Sequence, residues 1–221
     1  MKIIEVTQEI ILDLYSKYVL RHNHPPVNIY TFCEENEFSE AQFYRFYTSF
    51  DQLEADYLNY FLQQSLQLIS AEENYFTDDA RTRVLSFYYT FFEQLTMNRS
   101  LVMYLIGPEK DNLKSFKKLW SVKKEFQQFI NSLDISEPLM EAAGDQMAKM
   151  QRYKEKGVAE LFWGHFITTL KFWMQDTSPN FEKTDVFIEK SVDTSFSLLE
   201  VQPLKKLLDL GKFIFNEKIK K

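Results

Sequence analysis

Apolar residues along this chain recur at helical spacing. From Thr7 onward, Ile10, Ile11, Leu14, Tyr15, Tyr18 and Val19 fall at i, i+1, i+4, i+5, i+8 and i+9, which predicts an amphipathic helix. His24, Pro25 and Pro26 end it. Asn28 is placed to cap a short helix through Cys33, with Ile29, Phe32 and Cys33 on its inward face, and Asn36 and Glu37 make the following turn. Ser39 caps a third short helix carrying Ala41, Phe43, Tyr44 and Tyr47, and Leu53, Tyr57, Leu58 and Phe61 begin a longer fourth. Three compact helices therefore precede a long connector.

The remainder reads the same way. Residues 81–106 form one strongly apolar helical stretch containing Phe87, Tyr88, Phe91, Phe92, Leu95, Met103 and Tyr104, stopped by Gly107 and Pro108. Residues 113–133 are amphipathic, with Lys114, Lys117, Lys118 and Lys124 beside Phe116, Leu119, Trp120 and Phe126. Pro138 opens another helix to about Tyr153, and Val158 to Met174 is an apolar helix with Trp163, Phe166, Leu170 and Trp173, closed by Thr177, Ser178 and Pro179. A further helix spans 183–199, Pro203 breaks the chain, and residues 204–221 form an amphipathic basic tail. The fold class is all-α, without internal repeats.

Composition narrows the function classes. The five glycines leave the first 106 residues with none, so phosphate-cradling loops and dinucleotide fingerprints have nowhere to sit. With 21 Phe, 12 Tyr and 3 Trp against six prolines, bulky helix contacts are favoured over a turn-rich sandwich. The single cysteine, Cys33, cannot form an internal disulfide, and Glu5, Glu9 and Asp13 interrupt any leader-like apolar run, so a cytoplasmic setting is expected. No uncharged apolar run approaches a membrane span. Charge is uneven: residues 1–80 hold four basic and fourteen acidic side chains, whereas residues 81–221 hold 22 and 18.

The run from Asn28 to Leu53 resembles the helix-turn-helix of the tetracycline-repressor (TetR) family of regulators. Asn28, Phe32, Cys33, Glu37, Phe38 and Ser39 stand where that family has a capping threonine, an apolar residue, a small residue, a turn glycine, an apolar residue and a serine. Phe43, Tyr44, Tyr47 and Leu53 match its recognition helix and connector, and Phe162 to Val192, with Trp173, Asp176, Ser178 and Pro179, is similar to its dimer-forming region. The resemblance implies a DNA-binding headpiece over 1–55, a ligand-binding and dimerisation domain over 56–221, and a homodimer. It also implies an effector that, by binding one state better, shifts the spacing of two headpieces and releases operator DNA.

Such a headpiece presents its second helix to base edges while amides and cations hold phosphates. The candidate contacts to double-stranded DNA are Asn28, Gln42, Tyr44, Arg45 and Thr48, since Gln and Arg can each engage a base with two hydrogen bonds. Glu37, Glu40, Ala41, Thr48 and Phe50 replace family residues that are glycine or basic, and Glu34, Glu35, Glu37 and Glu40 would repel a duplex at ordinary salt. On the other reading, Phe43, Tyr44 and Tyr47 are core aromatics of a retained three-helix unit. The fold then serves a lipid- or isoprenoid-binding accessory protein that does not touch DNA.

A helical bundle takes small molecules in a mostly apolar cavity. Tyr88, Phe92, Met103, Tyr104, Trp120, Trp163 and Phe166 are the candidate lining for an apolar ligand, with Tyr89 and His165 nearby in the pattern. The same residues serve equally as packing. His165 is expected at the surface or hydrogen-bonded. The tail's six lysines and its leucines, isoleucines and phenylalanines suit docking on protein or, less readily, a peripheral membrane contact. His22, His24 and Cys33 lack paired metal-ligand spacing, the adjacent carboxylates Glu34 and Glu35, Glu72 and Glu73, and Asp78 and Asp79 diverge on a helix, and no nucleophile motif occurs. No enzyme, cofactor or metal is expected.

Overall fold

The computed structural model describes residues 6–107, 112–133, 135 and 144–200. The expected helix start at Pro138, the break at Pro203 and the basic tail 204–221 lie outside the described residues. Among the described residues there are helices and no strands. In order they are α1 (Gln8–His22), α2 (Ile29–Glu35), α3 (Glu40–Phe43), α4 (Phe50–Ser70), α5 (Ala80–Met97), α6 (Arg99–Ile106), α7 (Asn112–Asn131), α8 (Gly144–Gln175) and α9 (Glu182–Glu200). The all-α reading holds.

Local signals set most boundaries. Thr7 caps α1, its side chain accepting from the Ile10 amide, and Asn23 ends that helix in the left-handed region at φ 56°. Asn28 caps α2, its Oδ1 accepting from the Thr31 amide at 2.8 Å. Three boundaries differ from the pattern. The third helix, expected to carry Tyr44 and Tyr47, ends at Phe43, and both tyrosines lie beyond it. The apolar stretch 81–106 is two helices, because Asn98 leaves helical geometry (φ −114°, ψ 24°) and donates its side-chain amide to the Gln94 carbonyl at 2.9 Å, a local bond that competes with the backbone ladder. Conversely, α8 runs unbroken through Gly157, where helix-compatible backbone on an open surface leaves the glycine no reason to stop it.

The chain forms two compact units, Met1–Ser65 with Glu93–Glu125 and Leu66–Phe92 with Phe126–Lys221. The first unit packs its headpiece around Phe32, fully buried, whose ring meets Tyr15, Phe38, Phe43 and Phe50 edge-on at centroid distances of 5.6–6.3 Å. Phe50 stacks on Tyr15 at 5.2 Å, so the aromatic that stands at a family lysine position completes the small core. The second unit has its own aromatic core, in which Phe166 of α8 meets Phe126, Phe91 and Trp163 at 4.9–5.3 Å. No described helix is long and apolar enough to cross a membrane.

Candidate functional site

The turn between α2 and α3 is built by hydrogen bonds to the end of α2. The Phe38 amide donates to the Cys33 carbonyl (3.1 Å) and the Glu37 amide to the Glu34 carbonyl (3.3 Å), the pairing of a Schellman motif, while Phe38 packs on Phe32. That motif needs one left-handed residue, and Glu37 supplies it at φ 59°. Ser39 then opens α3 with a reciprocal capping box: its hydroxyl accepts from the Gln42 amide, and the Gln42 side-chain oxygen accepts from the Ser39 amide at 2.9 Å. The helix-turn-helix is therefore present, with a glutamate in the glycine's backbone conformation.

The five candidate DNA-contact residues meet different fates. Tyr44 is 50% exposed and Arg45 is exposed on the turn after α3. Asn28 is committed to its cap, Gln42 to the capping box, and Thr48 to Gln52, whose side-chain oxygen accepts from the Thr48 amide (2.8 Å) and hydroxyl (2.7 Å). Phe43 and Tyr47 are buried, the Tyr47 hydroxyl donating to Asp56 at 3.1 Å. Glu34, Glu35 and Glu37 are exposed beside them. Cys33 is buried, and that burial, with Glu40 nearby, pushes its thiol up to about 11, so it stays a packing thiol. His22 and His24 stand with ring centroids 5.8 Å apart beside Tyr18.

The candidate ligand residues separate into two groups. Tyr88, Phe92, Trp163 and Phe166 come together in the second unit, with Tyr88 on Phe92 at 6.0 Å and on Phe166 at 6.2 Å. Met103, Tyr104 and Trp120 belong to the first unit; Tyr104 is buried, whereas Trp120 is 65% exposed beneath the Lys123 ammonium at 5.1 Å. Beside the cluster lies a polar relay absent from the sequence reading. Ser191 donates to the Phe187 carbonyl at 2.5 Å, so it accepts from His165 Nε2 (2.7 Å), which leaves Nδ1 to accept from the Tyr88 hydroxyl at 2.6 Å. Burial lowers the imidazole to about 4, so it is neutral.

Helices α8 and α9 also enclose an open groove of about 600 Å³ lined by Phe172, Val186, Phe187, Lys183, Lys190 and Ser191, among others. Two of these lining residues, Phe172 of α8 and Phe187 of α9, stack on each other at 4.5 Å. The corner joining these helices is tied by Asp176, which accepts from the Ser178 amide and hydroxyl (2.8 and 2.7 Å) and the Thr184 amide and hydroxyl (2.9 and 2.7 Å). Burial alone would raise this carboxyl; the hydrogen bonds from Ser178 and Thr184 outweigh it and hold it at about 2. Sequence reasoning marked Asp176 but missed the groove and the relay, which depend on the register of helices distant in sequence.

The sequence model of the family described as "Tetracyclin repressor-like, C-terminal domain" matches residues 83–214, more than half of the chain. No curated protein and no solved structure matches it. Proteins of this family typically bind DNA as homodimers with small-molecule ligands, and they are generally regulators rather than enzymes. With its all-helical fold and that match, the chain belongs to the TetR family of transcription regulators.

Proposed function

We propose that the chain is a cytoplasmic, ligand-responsive repressor, that it is not an enzyme, and that it acts as a homodimer on double-stranded DNA, with 1–55 as the DNA-binding domain and 56–221 as the effector and dimerisation domain. The observation that carries this reading is the arrangement of α2 and the short α3, a Schellman turn leading into a capped helix that leaves Tyr44 and Arg45 exposed just after its end. Tyr44 and Arg45 make the first contacts, while Asn28, Gln42 and Thr48 reach bases or phosphates through the polar capacity their caps leave free. The effector is a small apolar molecule held at the α5 and α8 cluster of Tyr88, Phe92, Trp163 and Phe166, with Tyr88 and His165 as its polar handle.

Fluorescence anisotropy with random-sequence duplex tests the output. Binding at low salt that weakens as salt rises is expected, because phosphate neutralisation supplies non-specific affinity. A flat response at every salt concentration overturns it. That outcome would favour a second reading, a lipid- or isoprenoid-binding protein that leaves DNA alone, for which the specific observation is the exposed row Glu34, Glu35 and Glu37 against the lone cation Arg45 between residues 28 and 53. Native mass spectrometry of the purified chain would then find a retained apolar molecule.

A further inference from the structure

Two of the chain's three histidines stand together where α1 ends. His22 is the last residue of α1, and Asn23 turns the backbone through the left-handed region at φ 56°, its amide donating to the Val19 carbonyl at 2.8 Å. Pro25 follows His24 and biases it to extended backbone, which stiffens the turn. The two imidazoles, both exposed, lie with ring centroids 5.8 Å apart and planes at 43°. Tyr18, one turn earlier on α1, packs on both, at 4.4 Å from His22 and 5.9 Å from His24. His24 Nδ1 is 2.8 Å from the Pro25 carbonyl oxygen, which can only accept; Nδ1 therefore carries the proton and Nε2 keeps its lone pair.

A metal-binding histidine is commonly held in this way, its second ring nitrogen donating to a carbonyl and so fixing which nitrogen is free to ligate. The separation fits as well. With metal–nitrogen bonds of about 2.0–2.1 Å, two imidazoles on one tetrahedral ion hold their centroids about 5–6 Å apart. His22 also lines a pocket of about 290 Å³ with Tyr18, Glu35 and Asn36, among others, where the carbonyl ends of α1 and α2 and the Glu35 carboxylate favour a cation. Lys17 and Arg21 line the same pocket, and Lys17 is offset by Asp13 at 2.6 Å. Among the described residues no group of three or more His, Cys, Asp or Glu is placed to hold an ion, so the remaining coordination positions fall to water. We propose that His22 and His24 form a two-imidazole site for a borderline divalent ion of the zinc, nickel and copper class, open to solvent and exchangeable. Sequence spacing hides it, because residues i and i+2 of a helix do not face each other and only the left-handed Asn23 brings these two together. The site uses none of the residues proposed to meet DNA or effector, so it stands or falls without them.

The test uses the full chain without an added histidine tag. Isothermal calorimetry with Zn(II) alone should show saturable uptake of one ion per chain. His22→Gln and His24→Gln should each weaken it by at least about tenfold, since even the outer partners of a ligand are worth that much. Both side chains are exposed, so the thermal midpoints of the ion-free variants should stay close to that of the unaltered chain. Electron paramagnetic resonance with Cu(II) alone should count two imidazole nitrogens in the unaltered chain and one in each variant. An unaltered chain that takes up no Zn(II) saturably overturns the proposal, as does a folded variant that binds Zn(II) as tightly as before. Fewer than two imidazole nitrogens on Cu(II) in the unaltered chain overturns it without recourse to any variant.

Discussion

Glu37 adopts a conformation that glycine reaches without cost and that an L side chain reaches only against its own Cβ. Replacing it by glycine relieves that strain and gives back part of the gain through the freer unfolded chain, so Glu37→Gly should stabilise the protein by about 0.5–1 kcal/mol. A rise in the thermal midpoint checks it; an unchanged or lowered midpoint refutes it. His165 has the opposite character. Its folded-state value near 4 lies below the unfolded 6.5, so the unfolded chain binds the extra proton first. The stability it lends is whole above about 6.5 and drains away as pH falls towards 4. Urea unfolding at about pH 7 and about pH 5 should show a loss on the order of 1 kcal/mol that His165→Gln abolishes. The caps Asn28 and Ser39 were legible in the sequence because each bonds within three residues. The Tyr88–His165–Ser191 relay was not, since its members lie on three separate helices and no local pattern brings them together.

At the level of elements, helix ends carry the specificity. The α8–α9 corner hangs on Asp176, whose four accepted hydrogen bonds would leave Ser178 and Thr184 donors unpaired if the carboxylate were removed. Asp176→Ala should cost about 2–3 kcal/mol. Because the folded carboxyl sits at about 2, below its ordinary 3.8, the wild-type advantage should persist at neutral pH and fade only as pH drops through that interval. A variant whose deficit is unchanged by acid would contradict that account. At the end of α6, a Cβ on Gly107 would stand 2.3 Å from the Met103 carbonyl oxygen, which also accepts the Gly107 amide, so Gly107→Ala must displace backbone. A loss of about 1–3 kcal/mol is expected in chemical denaturation. Among the described residues, the helices were readable from apolar periodicity. The break at Asn98 was not, because apolar residues continue at helical spacing on both sides and a single side-chain bond decides the matter.

At the scale of the molecule, the proposed homodimer has its test at the groove between α8 and α9. Phe172, Val186 and Phe187 give it an apolar floor, and Glu182, Lys183 and Lys190 give it charges of both signs at its margin, the composition of a patch able to meet its own copy across a two-fold axis. In such an interface each substitution acts twice. Val186, 48% exposed, is held by little in the isolated chain, so Val186→Glu should leave the helical content and thermal midpoint almost unchanged. Placed against its symmetry mate, the same carboxylate must lose water opposite a like charge, a penalty of several kcal/mol that weakens association by at least about 100-fold. Analytical ultracentrifugation at micromolar concentration should therefore show a dimer for the natural sequence and a monomer for Val186→Glu. A natural chain that sediments as a monomer would remove the dimer, and a Val186→Glu chain that still dimerises would place the interface on another face.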